Sequence, residues 1–123
     1  MTHEVHAVRG AITVETNTKT DILENTKRLL NELISQNHIN AEQDIISIFF
    51  TATRDLNACF PAKAARELGW HDTALMCAQE IDVKGGLPKC IRIMIHYRTT
   101  EKDHKPQPVY LKEAKKLRPD IKN

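Results

Sequence analysis

The chain has little of several features that would assign it to a specialised class of protein. Its 123 residues contain four glycines, five prolines and three cysteines, and the cysteines form no CxxC pair. No apolar run approaches the ~20 residues that span a bilayer, and the N-terminus lacks the basic-then-apolar order of a signal peptide. A net charge of +2 is too small to indicate nucleic acid or a membrane surface as a partner. We therefore expect a cytoplasmic protein with reduced thiols and no disulfide framework.

The sequence also lacks the common motifs of nucleophilic and nucleotide-binding enzymes. GxSxG, the P-loop and GxGxxG do not occur. His3, Glu4 and His6 lie close together, but no second ligand pair accompanies them, so we expect no metal site. Cys77 and Cys90 have no histidine nearby in sequence that would indicate an activated thiolate. An enzyme with this sequence would therefore work through cations and positioning, without a nucleophile.

What is present is typical of one globular domain over residues 1–123, with 41% hydrophobic and 28% charged residues. The patterns of strands and helices are mixed, which predicts a compact α/β or α+β domain. Apolar residues at helical spacing predict a helix that begins after a Thr18 cap and ends at Asn37. Its predicted neighbours include a strand at 4–14, with Gly10 as a bulge or close-approach point, and a strand at 44–52, whose continuous apolar run is typical of a buried strand. Further strands are predicted at 73–81 and 90–98, a helix at 60–69 with Pro61 first and Gly69 as its cap, a loop at 99–108, and a short helix from Val109.

Two arginines, Arg9 and Arg92, stand inside otherwise apolar strand patterns. Strand alternation places Arg92 on one face of the strand and Ile91 and Ile93 on the other. Removing a guanidinium from water costs several kcal/mol unless a partner meets it, so such strands suggest a pocket for an anion. The alternatives are that each arginine lies on a wet face of the sheet, or pairs with an internal carboxylate such as Glu80.

Other polar residues allow both a structural and a functional interpretation. Lys63 and Arg66 lie one turn apart on the 60–69 helix, either as part of a solvated helix face or as a shared cationic patch. Tyr110 is either a core aromatic residue with a satisfied hydroxyl or a ligand contact. Arg118, before Pro119, could simply cap the last turn.

Four segments are distinctive: RGAITVE at 9–15, TATRDLNACFPAKAARELGW at 51–70, CAQEIDVKGGLPKCIRIMI at 77–95 and VYLKEAKKLRPD at 109–120. Together they resemble the monofunctional AroH-type chorismate mutase family. The resemblance covers nearly the whole chain in order. It implies an α+β subunit with a mixed sheet and packed helices, and a homotrimer that forms a pseudo-α/β barrel with active sites in the clefts between subunits.

The resemblance also implies the reaction, a Claisen rearrangement of chorismate to prephenate that uses no cofactor or metal. The matching site residues are Arg9, Phe60, Ala62, Lys63, Arg66, Leu75, Met76, Cys77, Glu80, Arg92, Tyr110, Leu117 and Arg118. Met76 departs from the family pattern, where a smaller hydroxyl residue is expected, so only its backbone would serve there. The polar loop at 99–108 suggests that the segment 109–123 is mobile before substrate binds.

The resemblance assigns roles to these residues. Arg92 would meet the ether oxygen, Arg9 and Tyr110 would fix a carboxylate, and Glu80 with the Cys77 region would hold the ring hydroxyl. Phe60, Ala62, Leu75 and Leu117 would shape the walls, and Lys63, Arg66 and Arg118 would attract the substrate. Two other functions are considered: a Rid-type imine deaminase on a similar trimer, and a non-catalytic module that binds an aromatic metabolite.

Overall fold

The computed structural model describes residues 2–121, which form a mixed five-stranded sheet with one long helix. The elements in chain order are β1 Glu4–Thr13, α1 Lys19–Gln36, β2 Ile45–Ala52, α2 Lys63–Glu67, β3 Ala74–Gln79, β4 Cys90–Thr99, β5 Val109–Leu111 and a 3₁₀ helix Lys112–Leu117. The strand order is β3-β2-β4-β1-β5. β4 is antiparallel to both neighbours, whereas β3 and β5 are parallel edge strands. The α+β class is therefore confirmed.

The long helix α1 forms where its caps and apolar periodicity predict it. The Thr18 hydroxyl accepts a hydrogen bond from the backbone N–H of Asp21 at 3.2 Å, and Asn37 closes the other end. Ile22 and Leu30 are among its fully buried side chains. Because such residues recur every three or four positions, they form one apolar stripe that packs on the sheet.

The sheet has an inner face, which α1 covers, and an outer face, which no element of residues 2–121 covers across the middle of the sheet. On β4, Ile91, Ile93 and Ile95 point inward and are almost fully buried. Arg92 alternates with them and points outward, as the period of two predicts. Within residues 2–121 there is one long helix, and it is sufficient to cover only one side of the sheet.

The expectation that strand 44–52 is buried as a continuous run is wrong. β2 begins at Ile45, and Phe49 and Ile46 are 41% and 47% exposed, while Ile48 and Phe50 are buried. For Phe49 the reason is that the outer face of β2 has no helix above it, whereas Ile46 lies at the irregularity in register between Ile45 and Ser47. An apolar residue on that face is therefore exposed within one chain.

The C-terminal segment also differs from the short helix that its spacing predicts. Val109–Leu111 is strand β5, which pairs in parallel with β1, and the helical part begins at Lys112 as a 3₁₀ turn. Ala114 in that turn is fully buried, so the segment is docked on the sheet as far as it is described. Mobility before substrate binds stays a prediction, and positions 122–123 of that segment lie outside the described residues.

Two smaller features position the elements around the sheet. α2 begins at Lys63, after a turn that contains Pro61, and ends before Gly69 at a φ of +93°. The predicted cap at Gly69 is therefore confirmed, whereas Pro61 precedes the helix.

Within residues 2–121, no helix has the length and apolarity needed to cross a membrane.

Candidate active site

The outer face carries a cavity of about 180 Å³ at the middle of the sheet, here called the arginine cavity. The register aligns Ala11 with Arg92 and with Tyr110, so Tyr110, Ala11 and Arg92 form one cross-strand row. Arg9 pairs with the next outward residue of β4 and is thus a diagonal neighbour of Arg92, at a typical separation of ~7–8 Å. The small Ala11 side chain leaves room between the larger groups. Other residues that line the cavity are Phe49, Thr51, Glu80 and Met94.

Arg92 is held by a short chain of polar contacts. Its Nε lies 3.4 Å from Glu80 Oε2, and the Thr51 hydroxyl donates to the same oxygen at 2.7 Å. The backbone N–H of Glu80 donates to the carbonyl of Ala52 at 2.9 Å, which fixes Glu80 just beyond the end of β3. The carboxylate thus pairs with Arg92 through one of the five guanidinium donors. The salt-bridge alternative for Glu80 is confirmed.

Of the alternatives for the two arginines, a wet face of the sheet applies to both in the single chain. The Arg92 side chain is 44% exposed, and Arg9 is also exposed. The reason is the uncovered outer face, where alternation places both residues. No carboxylate of residues 2–121 forms an ion pair with Arg9. The cavity therefore presents net positive charge on a half-open surface.

Tyr110 lines one side of the arginine cavity, and Leu117 and Arg118 lie next to it. Tyr110 is only 6% exposed and packs with Ala11, Cys90 and Ala114, and Leu117 lies against this group. Arg118 forms an ion pair with Asp120 at 3.0 Å. The pKa of Arg118 is raised, chiefly by Asp120 and to a smaller extent by Tyr110. Arg118 therefore lies at the rim, beside the tyrosine that lines the cavity.

A second concavity of about 760 Å³, here called the α2 cleft, lies between α2 and the edge strand β3. Its cations are Lys63 and Arg66, which point the same way, as their spacing predicts. The pKa of Lys63 is lowered, mainly because Lys19 approaches it as a like charge. The other lining residues that the resemblance predicts are Phe60, Ala62, Leu75, Met76 and Cys77.

The thiols near the two concavities are neutral at physiological pH. Burial raises the pKa of Cys77, and it raises the pKa of Cys90 to about 11 although Arg92 opposes the shift. A thiol with a raised pKa has little thiolate and is a poor nucleophile at pH 7. Neither cysteine is therefore suited to covalent catalysis.

The structure divides the predicted site residues into separate groups within one chain. Arg9, Glu80, Arg92 and Tyr110 line the arginine cavity, and Leu117 and Arg118 adjoin it. The residues from Phe60 to Arg66 and from Leu75 to Cys77 line the α2 cleft, and the two concavities share no lining residue. Met76 lies at the edge of the sheet with 61% of its surface exposed. Cys77 and Glu80, expected to act together, are thus in different concavities.

Sequence reasoning did not identify Phe49, Thr51 and Met94 as lining residues. The available signal was strand alternation. Phe49 and Thr51 are two residues apart on β2, and the register aligns them with Met94 and Arg92, respectively. Assigning Arg92 to the outer face therefore also assigns its cross-strand neighbours, once the pairing of β2 with β4 is known.

Comparison with known proteins identifies the family. The family model for chorismate mutase type I matches residues 5–121. The chain is 46% identical over 118 residues to chorismate mutase AroH of Bacillus subtilis strain 168, covering 95% of this chain and 92% of that protein. It is 40% identical over 119 residues to chorismate mutase AroH of Thermus thermophilus, covering 97% and 98%. A solved structure of a chorismate mutase from Clostridium thermocellum matches with a TM-score of 0.87 and 51% identity, covering 91% of this chain and 99% of that one. The chain therefore belongs to the chorismate mutase type I family.

Proposed function

We propose that this protein converts chorismate to prephenate by an intramolecular Claisen rearrangement in the arginine cavity. Membership of the chorismate mutase family supports the reaction, and it makes the protein an isomerase. The observation that carries the location is the diagonal placement of Arg9 and Arg92 on one open face, with Tyr110 beside them. Two cations at this separation suit a small dicarboxylate.

The chemistry of the rearrangement fits a site built from cations. A carbon–oxygen bond breaks while a carbon–carbon bond forms within one molecule, so no proton transfer or covalent intermediate is required. What remains is to hold the side chain over the ring and to stabilise the negative charge that develops on the ether oxygen. The neutral thiols of Cys77 and Cys90 agree with a mechanism that has no nucleophile.

In this proposal Arg92 meets the ether oxygen. Glu80 engages Nε, and Thr51 fixes Glu80, so the guanidinium is oriented before the substrate arrives. Its terminal nitrogens then face the developing charge. Such preorganised donors stabilise a transition state without the cost of reorientation.

The substrate's carboxylate and hydroxyl groups would be held by the neighbours of Arg92. Arg9 and Tyr110 bind a carboxylate and fix the orientation of the ring. Glu80, whose side chain is 27% exposed, accepts a hydrogen bond from the ring hydroxyl while it keeps its contact with Arg92. The two roles of Glu80, ion-pair partner and substrate contact, are compatible because a carboxylate accepts several hydrogen bonds.

The α2 cleft belongs to the same function if the protein is a homotrimer. We place the α2 cleft of one subunit against the arginine cavity of the next, so that each active site lies between two subunits. The support is that the site residues implied by the resemblance occupy two separate concavities in one chain. The exposed apolar side chains of Phe49 and Met76 on the outer face would be covered in such an assembly.

An ultraviolet assay of the purified protein tests the proposed function. Loss of chorismate with appearance of prephenate is the expected result. Tight binding of chorismate without prephenate would instead identify a non-catalytic metabolite-binding module. Hydrolysis of an imino acid with no turnover of chorismate would identify the deaminase.

A further inference from the structure

We infer that two contacts from α1 position Tyr110 for catalysis by clamping the segment 107–112, here called the β5 strap. The first contact comes from Asn37 and the second joins Lys112 to Asn25. Neither Asn37 nor Lys112 lines the arginine cavity. This inference rests on the proposed role of Tyr110 as a carboxylate-binding residue, and it assigns Asn37 and Lys112 a positioning role.

The first contact is a pair of hydrogen bonds between a buried amide and the backbone. Asn37 is 1% exposed, its Oδ1 accepts from the Gln107 N–H at 2.7 Å, and its Nδ2 donates to the Gln107 carbonyl at 3.1 Å. The same Nδ2 donates to the Leu33 carbonyl at 2.8 Å, which ties the amide to α1. An amide that both donates to and accepts from one residue acts as an adjacent strand would. It fixes the start of the strap across 70 positions of sequence.

The second contact holds the other end of the strap. Lys112 Nζ donates to Asn25 Oδ1 at 2.6 Å, and Asn25 Nδ2 donates to the Asp21 carbonyl at 2.8 Å. Lys112 has a φ of +54°, a left-handed conformation that costs energy for a residue other than glycine. The contact with Asn25 stabilises this turn. β5 is thus pinned to α1 on both sides of Tyr110.

The strap needs such contacts because its own strand is short. β5 has three residues, lies at the edge of the sheet and pairs only with β1 among the strands described. A polar loop at 100–108 precedes it and contributes little apolar burial. A three-residue edge strand has few ladder hydrogen bonds to hold its register. The position of Tyr110 beside the arginine cavity therefore depends on the two contacts with α1.

The test uses two variants, each with a matched control, in wild-type and Tyr110→Phe backgrounds. Asn37→Ala removes the first contact, and Ile22→Val is its control because it also perturbs the buried side of α1 but removes no hydrogen bond to the strap. Lys112→Met removes the second, and Lys115→Met is its control because Lys115 is an exposed lysine of the same 3₁₀ helix. Activity on chorismate and backbone amide exchange at positions 109–111 are measured for each.

We expect each strap variant to lower kcat/KM by roughly threefold or more relative to its control. In the Tyr110→Phe background the same substitution should have almost no further effect, because the hydroxyl that it positions is absent. Amide exchange at 109–111 should accelerate in the strap variants and not in the controls. Together these results would show action through Tyr110 and not a general loss of stability.

Three outcomes would overturn the inference. They are an unchanged kcat/KM in Lys112→Met, equal losses in both backgrounds, or unchanged exchange at 109–111. If Asn37→Ala fails to fold, Lys112→Met alone decides, since its side chain is 29% exposed and its loss leaves no cavity in the core. If Tyr110→Phe itself retains normal kcat/KM, the proposed role of Tyr110 fails. This result is distinct from equal losses in both backgrounds, which would overturn only the positioning role of the strap.

Discussion

At the scale of the residue, the role proposed for Arg92 would make its side chain far more important to the chemistry than to the stability of the fold. Its ion pair with Glu80 is partly solvated, with the arginine 44% exposed, and such pairs contribute only ~0–1 kcal/mol to folding. A preorganised donor in an active site contributes ~2.7–4 kcal/mol to the transition state. The catalytic contribution is the larger one, so removal of the side chain should separate activity from stability.

Arg92→Ala should keep the fold and lower kcat by at least ~10²–10³, as expected for the loss of one preorganised donor. Turnover of chorismate and thermal unfolding followed by circular dichroism measure the two effects. Arg98→Ala is the control, because Arg98 is an exposed cation on the same strand that does not line the arginine cavity. A near-normal turnover in Arg92→Ala would refute the role proposed for this residue.

Arg66→Ala should mainly raise KM, because attraction by a cation of the α2 cleft acts on the substrate and the transition state alike. Initial rates over a range of chorismate concentrations measure the effect, which should weaken as salt is added. Arg28→Ala removes the same charge from an exposed position on α1 and should change neither constant. A large fall in kcat at constant KM would contradict this interpretation of Arg66.

At the scale of the element, the close approach of β1, β5 and α1 is the tightest packing constraint on the site. A Cβ at Gly10 would lie 2.6 Å from the Val109 carbonyl oxygen and 3.1 Å from Leu29 Cδ1. Glycine is therefore required by space and not by backbone conformation, which confirms the predicted close approach at this position. The strand that carries Arg9 can thus lie directly against the strand that carries Tyr110.

Gly10→Ala should destabilise the protein by ~1–3 kcal/mol, because the added methyl forces β5 or α1 to move. Chemical denaturation gives the change in the free energy of unfolding. Since β5 carries Tyr110, kcat/KM should also fall more than in Ile48→Val, a core variant of β2 away from β5. Equal activities in the two variants would show that β5 does not transmit the displacement.

At the scale of the whole molecule, one chain carries both the arginine cavity and the α2 cleft, but the two share no lining residue. A closed ring of identical subunits brings two different surfaces together at every interface, because its contacts are heterologous. The proposed trimer would therefore join the six half-sites of its three subunits into three complete sites. It would also bury the exposed apolar residues Phe49 and Met76.

Mixing two variants that each have a low kcat/KM tests this arrangement. One variant carries Arg92→Ala in the arginine cavity, and the other carries Lys63→Ala with Arg66→Ala in the α2 cleft. After co-refolding at equal amounts, about a quarter of the sites in random trimers would combine two intact surfaces across a heterologous contact. We expect kcat/KM to rise well above that of either variant alone. Native mass spectrometry shows whether the mixture contains hybrid trimers. If it does and kcat/KM does not rise, each active site lies within a single subunit.

The predictions from sequence succeeded where the determining forces are local. The Thr18 cap and the apolar stripe of α1 predicted that helix to the residue at its N-terminus, because capping and periodicity depend on near neighbours. Alternation along β4 placed Arg92 opposite Ile91 and Ile93 for the same reason. The C-terminal strand was missed, since Val109–Leu111 is short and becomes a strand only by pairing with β1, about a hundred residues earlier.

The sequence by itself determined which residue types are available: two arginines on strands, no nucleophile with an activating partner, and segments that identify the family. Only the tertiary structure decided how they are arranged. It exposed Arg9 and Arg92 on an uncovered face, paired Arg92 with Glu80, and separated the α2 cleft from the arginine cavity. The physical reason is that burial and contact depend on which elements pack on which face of the sheet. That packing is fixed by the summed long-range contacts of the chain and not by the pattern of any one segment.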